Sequence, residues 1–381
     1  CVLHESSNHA SFFNSAPFHK YSRHDVEELR HPTLSMAQVR YAICGHPVSH
    51  SLSPLLFGLV MSNLEKFGKN IEFKVKKTKL ELVDTSAIED ALGWGYADHT
   101  PHPPKWDYTG APFGKYRTEA LVQKALEAAL DVEDADSRLS SSFESELEDQ
   151  EVQSHSFLLE ARLKHLPTHC LEHEVWLNLT SPLKHQLSSE AVSTIDDSMS
   201  LQSVNALRWD GQAWWCAGVD GCGVVTVAQY HGVQVGNGAL LGVVGGGGAA
   251  RATVDSWLKA GGAVRLFPGK RLLEIPLEFE SDDTDRPLDF AVDFDGHGEY
   301  DDVFASCQTR LNPRYQSLDG DVESRIEHLL VTPLDGRWML VAQHLESWRR
   351  LWAPQYAAYL PSIGLLLTQL VHAETVLNAY A

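Results

Sequence analysis

Ala239-Leu240-Leu241-Gly242-Val243-Val244 runs directly into Gly245-Gly246-Gly247-Gly248-Ala249-Ala250-Arg251, and this stretch decides the fold. The first six residues are a short, unbroken apolar run of the kind that fills a buried parallel strand. The glycines contain G-x-G-x-x-A ahead of a helical segment reaching about Lys259. Gly261-Gly262 end that helix before a second strand, Ala263-Val264-Arg265-Leu266-Phe267. Strand, glycine turn and helix returning to a strand within about thirty residues is the setting in which such a turn holds a dinucleotide, because the glycines let a pyrophosphate reach the helix N-terminus. Gly245, Gly247, Gly248, Ala249, Ala250 and Arg251 are therefore candidate cofactor contacts. A ribose without a 2′-phosphate would meet an acid at the end of the second strand. This chain has none there. Arg265, Lys270 and Arg271 surround that strand end, which favours NADP over NAD, with Lys270 and Arg271 as further cofactor contacts. Residues 272–286 are acidic, contain Pro276 and are too broken for a full crossover helix, and a third strand at 288–292 ends in Asp293-Phe294-Asp295-Gly296.

Upstream, two strand-like runs, 203–209 and 213–219, are joined through Asp210-Gly211, a strong hairpin signal. The hairpin carries Asn205 on one arm and delivers Asp220 at the end of the other. Before it, Val175-Trp176-Leu177 leads into Asn178-Leu179-Thr180-Ser181-Pro182-Leu183-Lys184; Pro182 stops the ladder, and Lys184 stands just past the strand end. A helical piece is expected at 187–192. Nearer the start, strand 40–44 ends in Gly45-His46-Pro47-Val48-Ser49-His50-Ser51-Leu52-Ser53-Pro54. Ser53 reads as an N-cap and Pro54 as the first helical residue, with Leu55, Leu59, Val60 and Leu64 on the apolar face. Free N–H groups at that helix start, flanked by the Ser51 and Ser53 hydroxyls, suit a carboxylate. A strand at 71–75 and a short helix at 86–92 follow. Residues 97–167, Pro-rich, then amphipathic at 118–130, then acidic, read as an insertion, and residues 1–35, polar and without period, as a disordered extension.

The 381 residues, 43% hydrophobic, suffice for two domains. A net charge of −20 argues against a nucleic-acid groove or an anionic membrane surface, and no apolar run approaches the length of a membrane-spanning helix. The six cysteines lack CxxC pairs and the 19 histidines form no HExxH motif, so reduced thiols, no metal and a cytoplasmic location are expected.

Taken together, the motifs resemble the shikimate dehydrogenase family. Residues 45–54 are similar to its G-x-P-x-x-H-S-x-S-P, 178–184 to N-x-T-x-P-x-K, Val204-Asn205 and Asp220-Gly221-Cys222-Gly223 to V-N followed by N-T-D-G-x-G, and 245–251 to G-A-G-G-A-[AS]-R. Gly364-Leu365-Leu366-Leu367-Thr368-Gln369 is similar to its G-x-x-M-L-V-x-Q. The resemblance implies a two-domain α/β protein: an N-terminal substrate domain at 36–223, a Rossmann-like NADP domain at 224–361, and a C-terminal helix at 362–381 packing back on the first. It implies NADP-dependent reduction of 3-dehydroshikimate to shikimate by a monomer or homodimer. Ser51 and Ser53 would hold the substrate carboxylate, Thr180, Asn205 and Gln369 the ring hydroxyls, and Lys184 and Asp220 would act as the proton-transferring dyad. The chain departs from the family where Gly218-Val219 replace Asn-Thr, Pro268-Gly269 replace N-R, and Asp293 and Asp295 stand nearest an N-A-T strand end. A quinate/shikimate-type dehydrogenase acting on a related cyclic hydroxy acid, with NADP or NAD, and a non-catalytic shikimate-binding relative are the alternatives.

Overall fold

The computed structural model describes residues 36–71, 73–97, 119–130, 132, 157–158, 161–168, 170–273, 285–296 and 298–379. The extension at 1–35, most of the insertion and most of the acidic stretches lie outside these residues. In the first half, β1 (Ala37–Gly45), α1 (Ser53–Ile71), β2 (Val75–Asp84), α2 (Ile88–Ala97), α3 (Glu119–Leu130), β3 (His173–Leu179), β4 (Val192–Thr194), β5 (Ala206–Trp209) and β6 (Trp214–Ala217) follow in order. The six strands form one sheet, β2-β1-β3-β5-β6-β4. β1 is parallel to both β2 and β3, β5 is antiparallel to β3 and β6, and β4 closes the edge parallel to β6.

The second half contains α4 (Asp220–Tyr230), β7 (Leu240–Val244), α5 (Gly248–Lys259), β8 (Ala263–Phe267), β9 (Phe290–Asp293), α6 (Asp301–Phe304), β10 (Thr309–Leu311), α7 (Val322–Leu329), α8 (Gly336–Ser347) and α9 (Ile363–Ala379). Its sheet is parallel throughout, in the order β10-β9-β7-β8. The strand order reverses at β7, so the glycine turn leaves β7 at the switch point, where ligands of such sheets bind. The expected strand, turn, helix and returning strand are all present, and the fold is α/β.

Hydrophobic spacing explains how α1 seats: Leu52, Leu55, Leu56, Leu59, Val60 and Leu64 recur on one face and are buried. Phe57 stacks on Tyr41 of β1 with centroids 4.2 Å apart, and Trp176 of β3 stacks on Trp352, just after α8, at 5.6 Å. This aromatic layer joins the first sheet to the α8 segment. α4 lies close against α5 at Gly221, where an added Cβ would stand 1.9 Å from the Ala252 carbonyl oxygen; only glycine allows this approach. α9 packs on α1 and α3, and also on α7 and α8.

Three expectations are corrected. Residues 71–75 do not form the second strand: α1 continues to Ile71, and the strand is Val75–Asp84, because β1 offers a full-length partner from Ala37 to Gly45. Pairing along that edge overrides the local alternation. The expected helix at 187–192 is absent; Leu187 is buried, and the β-branched Val192 and Thr194 pair with Trp214 and Cys216 as an edge strand. At the start of α1 the hydroxyl of Ser51, not that of Ser53, accepts a backbone N–H, from Ser53 at 3.3 Å. Among the described residues no helix is long and apolar enough to cross a membrane, and no group of three His, Cys, Asp or Glu side chains could hold a metal ion.

The Arg208–Glu174 pair spans β5 and β3 with both side chains fully buried, at 2.8 and 2.9 Å. Glu174 also accepts from the Trp176 indole at 2.5 Å, and Arg208 donates to the Leu351 carbonyl at 3.0 Å. Removing one partner strands the other charge in the core. Arg208→Met should lower the unfolding free energy by about 3–5 kcal/mol, read as a lower urea midpoint at unchanged slope.

Candidate active site

A strand end, a hairpin and a helix start bring Lys184, Asn205 and Asp220 together. Beyond β3, the Thr180 N–H donates to the Cys44 carbonyl at 2.9 Å and the Leu183 N–H to the Thr180 carbonyl at 2.9 Å. The chain is thereby turned so that Lys184, on a single 3₁₀ turn at Leu183–His185, faces back across the sheet end. Gly45, at φ +153, permits this packing: a Cβ there would lie 2.4 Å from the Thr180 methyl. Asp220 is the first residue of α4 and is fully buried. Its carboxylate accepts from the Lys184 ammonium at 2.6 Å and from the Asn205 amide at 2.8 Å. Asn205 in turn accepts from the Val219 N–H at 2.7 Å, so one side chain fixes both the carboxylate and the turn that presents it. The helix dipole favours an anion at this position. The polar pair expected from the sequence is therefore assembled, with Asn205 as its brace.

Ser51, Ser53, Thr180, Lys184, Asn205 and Asp220 all line one cavity of about 480 Å³. Asn178 lines it too, held by the Tyr41 hydroxyl at 2.7 Å. Gln369 does not. It is buried on α9, where its amide accepts from Asn63 at 2.7 Å and donates back to it at 3.3 Å, tying α9 to α1. The cavity wall is instead supplied by Gln343 of α8, and the sequence held the signal. Gly336-Arg337-Trp338-Met339-Leu340-Val341-Ala342-Gln343 carries G-x-x-M-L-V-x-Q in full, with the glutamine seven residues after the glycine, whereas Gln369 follows Gly364 by five. Phe294, between Asp293 and Asp295, also lines the cavity, as do Arg314 and Tyr315, which belong to no motif read from the sequence.

At the glycine turn the expected contacts divide. Gly245 takes φ +106, and Gly247 opens α5 with empty space around it and no side-chain cap on the helix, so backbone N–H groups are available to an anion. Ala249 lines the cavity, which links the turn to the Lys184–Asp220 pair. Ala250 and Arg251 serve the protein instead. Ala250 is buried in the core, and Arg251 donates to the carbonyls of Leu201, Gly246 and Gln202 at 2.6, 2.9 and 3.1 Å. Burial, and then the neighbouring Arg271 guanidinium, pull the Arg251 pKa below its ordinary value. Lys270 and Arg271 are exposed. Against this positive surface stands Asp295, whose carboxylate accepts from the Lys270 N–H at 2.5 Å and lies 3.1 Å from where a Gly245 Cβ would be. Asp293 caps its own turn, accepting from Asp295 and Gly296 at 2.9 and 2.7 Å. The uncapped helix, the open glycine and the two exposed basic side chains fit a dinucleotide, and Asp295 is a like charge beside it.

Fold and site together define an α/β protein in which a lysine–aspartate pair shares a cavity with the glycine turn of a parallel, Rossmann-like sheet. No family model matches the chain. Over 84 residues it is 32% identical to the NADP⁺-dependent shikimate dehydrogenase of Methylibium petroleiphilum, a match covering 22% of this chain and 29% of that protein. The matched stretch thus spans less than a third of that relative's length. Among solved structures the chain is similar to the shikimate 5-dehydrogenase of Thermus thermophilus in complex with NADP(H) and shikimate, at 18% identity and a TM-score of 0.46, over 87% of this chain and 98% of that one. It is also similar to the shikimate dehydrogenase of Aquifex aeolicus, at 16% identity and a TM-score of 0.42, over 84% and 96%.

Asn205 can be tested apart from any activity. Asn205→Ala leaves the Val219 N–H and one carboxylate oxygen of Asp220 buried without their partner, and should lower stability by about 2–4 kcal/mol, measured by denaturant unfolding.

Proposed function

We propose that the chain is an NADP-dependent shikimate dehydrogenase, reversibly reducing 3-dehydroshikimate to shikimate on the route to chorismate and the aromatic amino acids. The observation that carries this reading is the 2.6 Å contact between Lys184 and a fully buried Asp220 in a cavity shared with Ser51, Ser53 and the α5 N-terminal turn. NADPH would supply the hydride, with the backbone at Gly247 and Gly248 and the side chains of Lys270 and Arg271 holding it. In the reductive direction the Lys184 ammonium gives a proton to the oxygen that becomes the alcohol, and Asp220 holds that ammonium in position until transfer. Lys184 is 23% exposed, so solvent can return the proton. In the reverse direction the same amine accepts the hydroxyl proton. Ser51 and Ser53 hold the carboxylate, and Thr180, Asn205 and Gln343 hold ring hydroxyls; Gln343 takes the role that the sequence resemblance gives to Gln369. In this reading 36–223 is the substrate domain and 224–361 the cofactor domain. Residues 362–381 close back on the first, which the packing of α9 on α1 and α3 supports. The protein would work in the cytoplasm as a monomer or homodimer.

Lys184→Ala should reduce NADPH oxidation with 3-dehydroshikimate by about 10²–10⁴-fold while the folded protein still binds shikimate; absence of turnover in the wild type would refute the assignment. Gln343→Ala should raise KM, whereas Gln369→Ala should lower stability and leave KM unchanged.

Asp295 favours a second reading, a relative that binds shikimate without productive dinucleotide binding. Asn at this position keeps an oxygen for the Lys270 N–H but removes the charge. Asp295→Asn should tighten NADP binding about tenfold, on the order of 1.4 kcal/mol, measured by calorimetry. If neither wild type nor variant binds NADP or NAD while shikimate binds, the second reading replaces the first.

A further inference from the structure

We infer that His344 is a further substrate-contacting, specificity-determining residue, whose Nε2 hydrogen-bonds a ring hydroxyl of the cyclic hydroxy acid. The inference rests on the functional reading above and deepens it. His344 follows Gln343 on α8, lines the same cavity, and is 1% exposed. Aromatic rings surround it edge-on: Tyr41 at 6.2 Å, Phe57 at 6.3 Å and Trp352 at 5.4 Å between centroids. Such a box would be closed more stably by an apolar side chain. It instead holds an imidazole whose Nε2 is buried with no hydrogen-bond partner among the described residues.

Three other buried polar side chains of this cavity are held by the protein itself. Asp220 has Lys184 and Asn205, Asn205 has Val219, and Asn178 has Tyr41. Among the described residues that line the cavity, Gln343 Oε1 and His344 Nε2 are the two buried side-chain atoms without a partner. They come from adjacent positions of one helix. A buried polar atom left unmet is costly, and a ligand hydroxyl that reached His344 Nε2 would relieve it.

The chemistry of the ring selects the ligand group. Burial drives the His344 pKa down to about 3, so the imidazole is neutral across ordinary working pH. A neutral ring in an apolar box has no charge to offer a carboxylate, and a carboxylate already has Ser51, Ser53 and the α1 N-terminus. A hydroxyl can donate or accept and suits either tautomer. His344 therefore reads a hydroxyl, with its ring held in place by the edge-on contacts of Tyr41, Phe57 and Trp352.

The test compares wild type, His344→Phe and His344→Gln in shikimate titration calorimetry, in kcat and KM for shikimate oxidation, and in thermal unfolding. It also follows the ¹⁵N resonance of the His344 imidazole on adding shikimate. His344→Phe should remain folded, raise the shikimate Kd and KM about tenfold and change kcat less than about threefold; His344→Gln should recover part of the affinity. The wild-type Nε2 resonance should shift at the stoichiometry of binding. If wild type binds shikimate while His344→Phe binds it equally well and the resonance stays in place, the inference fails and the functional reading stands. If wild type itself fails to bind shikimate, both fall.

Discussion

The site depends on one buried carboxylate. Asp220 is removed from water at the start of α4, a placement that is stable only because a cation and an amide meet it. Lys184 reaches it from the end of β3 and Asn205 from the entry to β5. Three segments that would otherwise be independent loops are thereby fixed against one group. In the proposed reaction the same contact would set the chemistry, since an ammonium held 2.6 Å from a carboxylate can carry a proton in a defined direction. The close approach of α4 to α5 at Gly221 then brings the carboxylate beside the helix that opens with the glycine turn.

Much of this was legible because it is local. The run from Ala239 to Phe267 states its strand, turn, helix and strand in residue types alone, and the structure repeats it nearly residue for residue. Asp210-Gly211 likewise fixes the hairpin that carries Asn205. What was not legible depended on partners distant in sequence. Residues 71–75 alternate like a strand, yet the strand sits where β1 can pair along its full length. Residues 187–192 carry a helical spacing that is overruled by burial of Leu187 and an edge beside β6.

The two glutamines show the difference most sharply. Gln369 and Gln343 lie on consecutive long helices in similarly apolar surroundings, and the fuller motif precedes Gln343. The packing separates them in the same sense as the motif: Asn63 satisfies Gln369, while nothing among the described residues satisfies the buried oxygen of Gln343. His344 had no pattern to announce it, because an orphaned nitrogen is a property of the assembled cavity. On the cofactor side, Arg251 reads as a cofactor contact in sequence but donates to three backbone carbonyls, and Asp295, which the sequence places nearest an N-A-T strand end, lies against the glycines. Charge at that turn is therefore a balance between Lys270 and Arg271 on one side and Asp295 on the other.

The most direct measurement is a crystal structure of the protein with bound shikimate. The account predicts the ligand in the cavity with its carboxylate at Ser51 and Ser53 and one hydroxyl within about 2.6–3.2 Å of Lys184 and Asp220. A carboxylate bound at Lys184 instead, or a ligand lying outside the cavity, would contradict it.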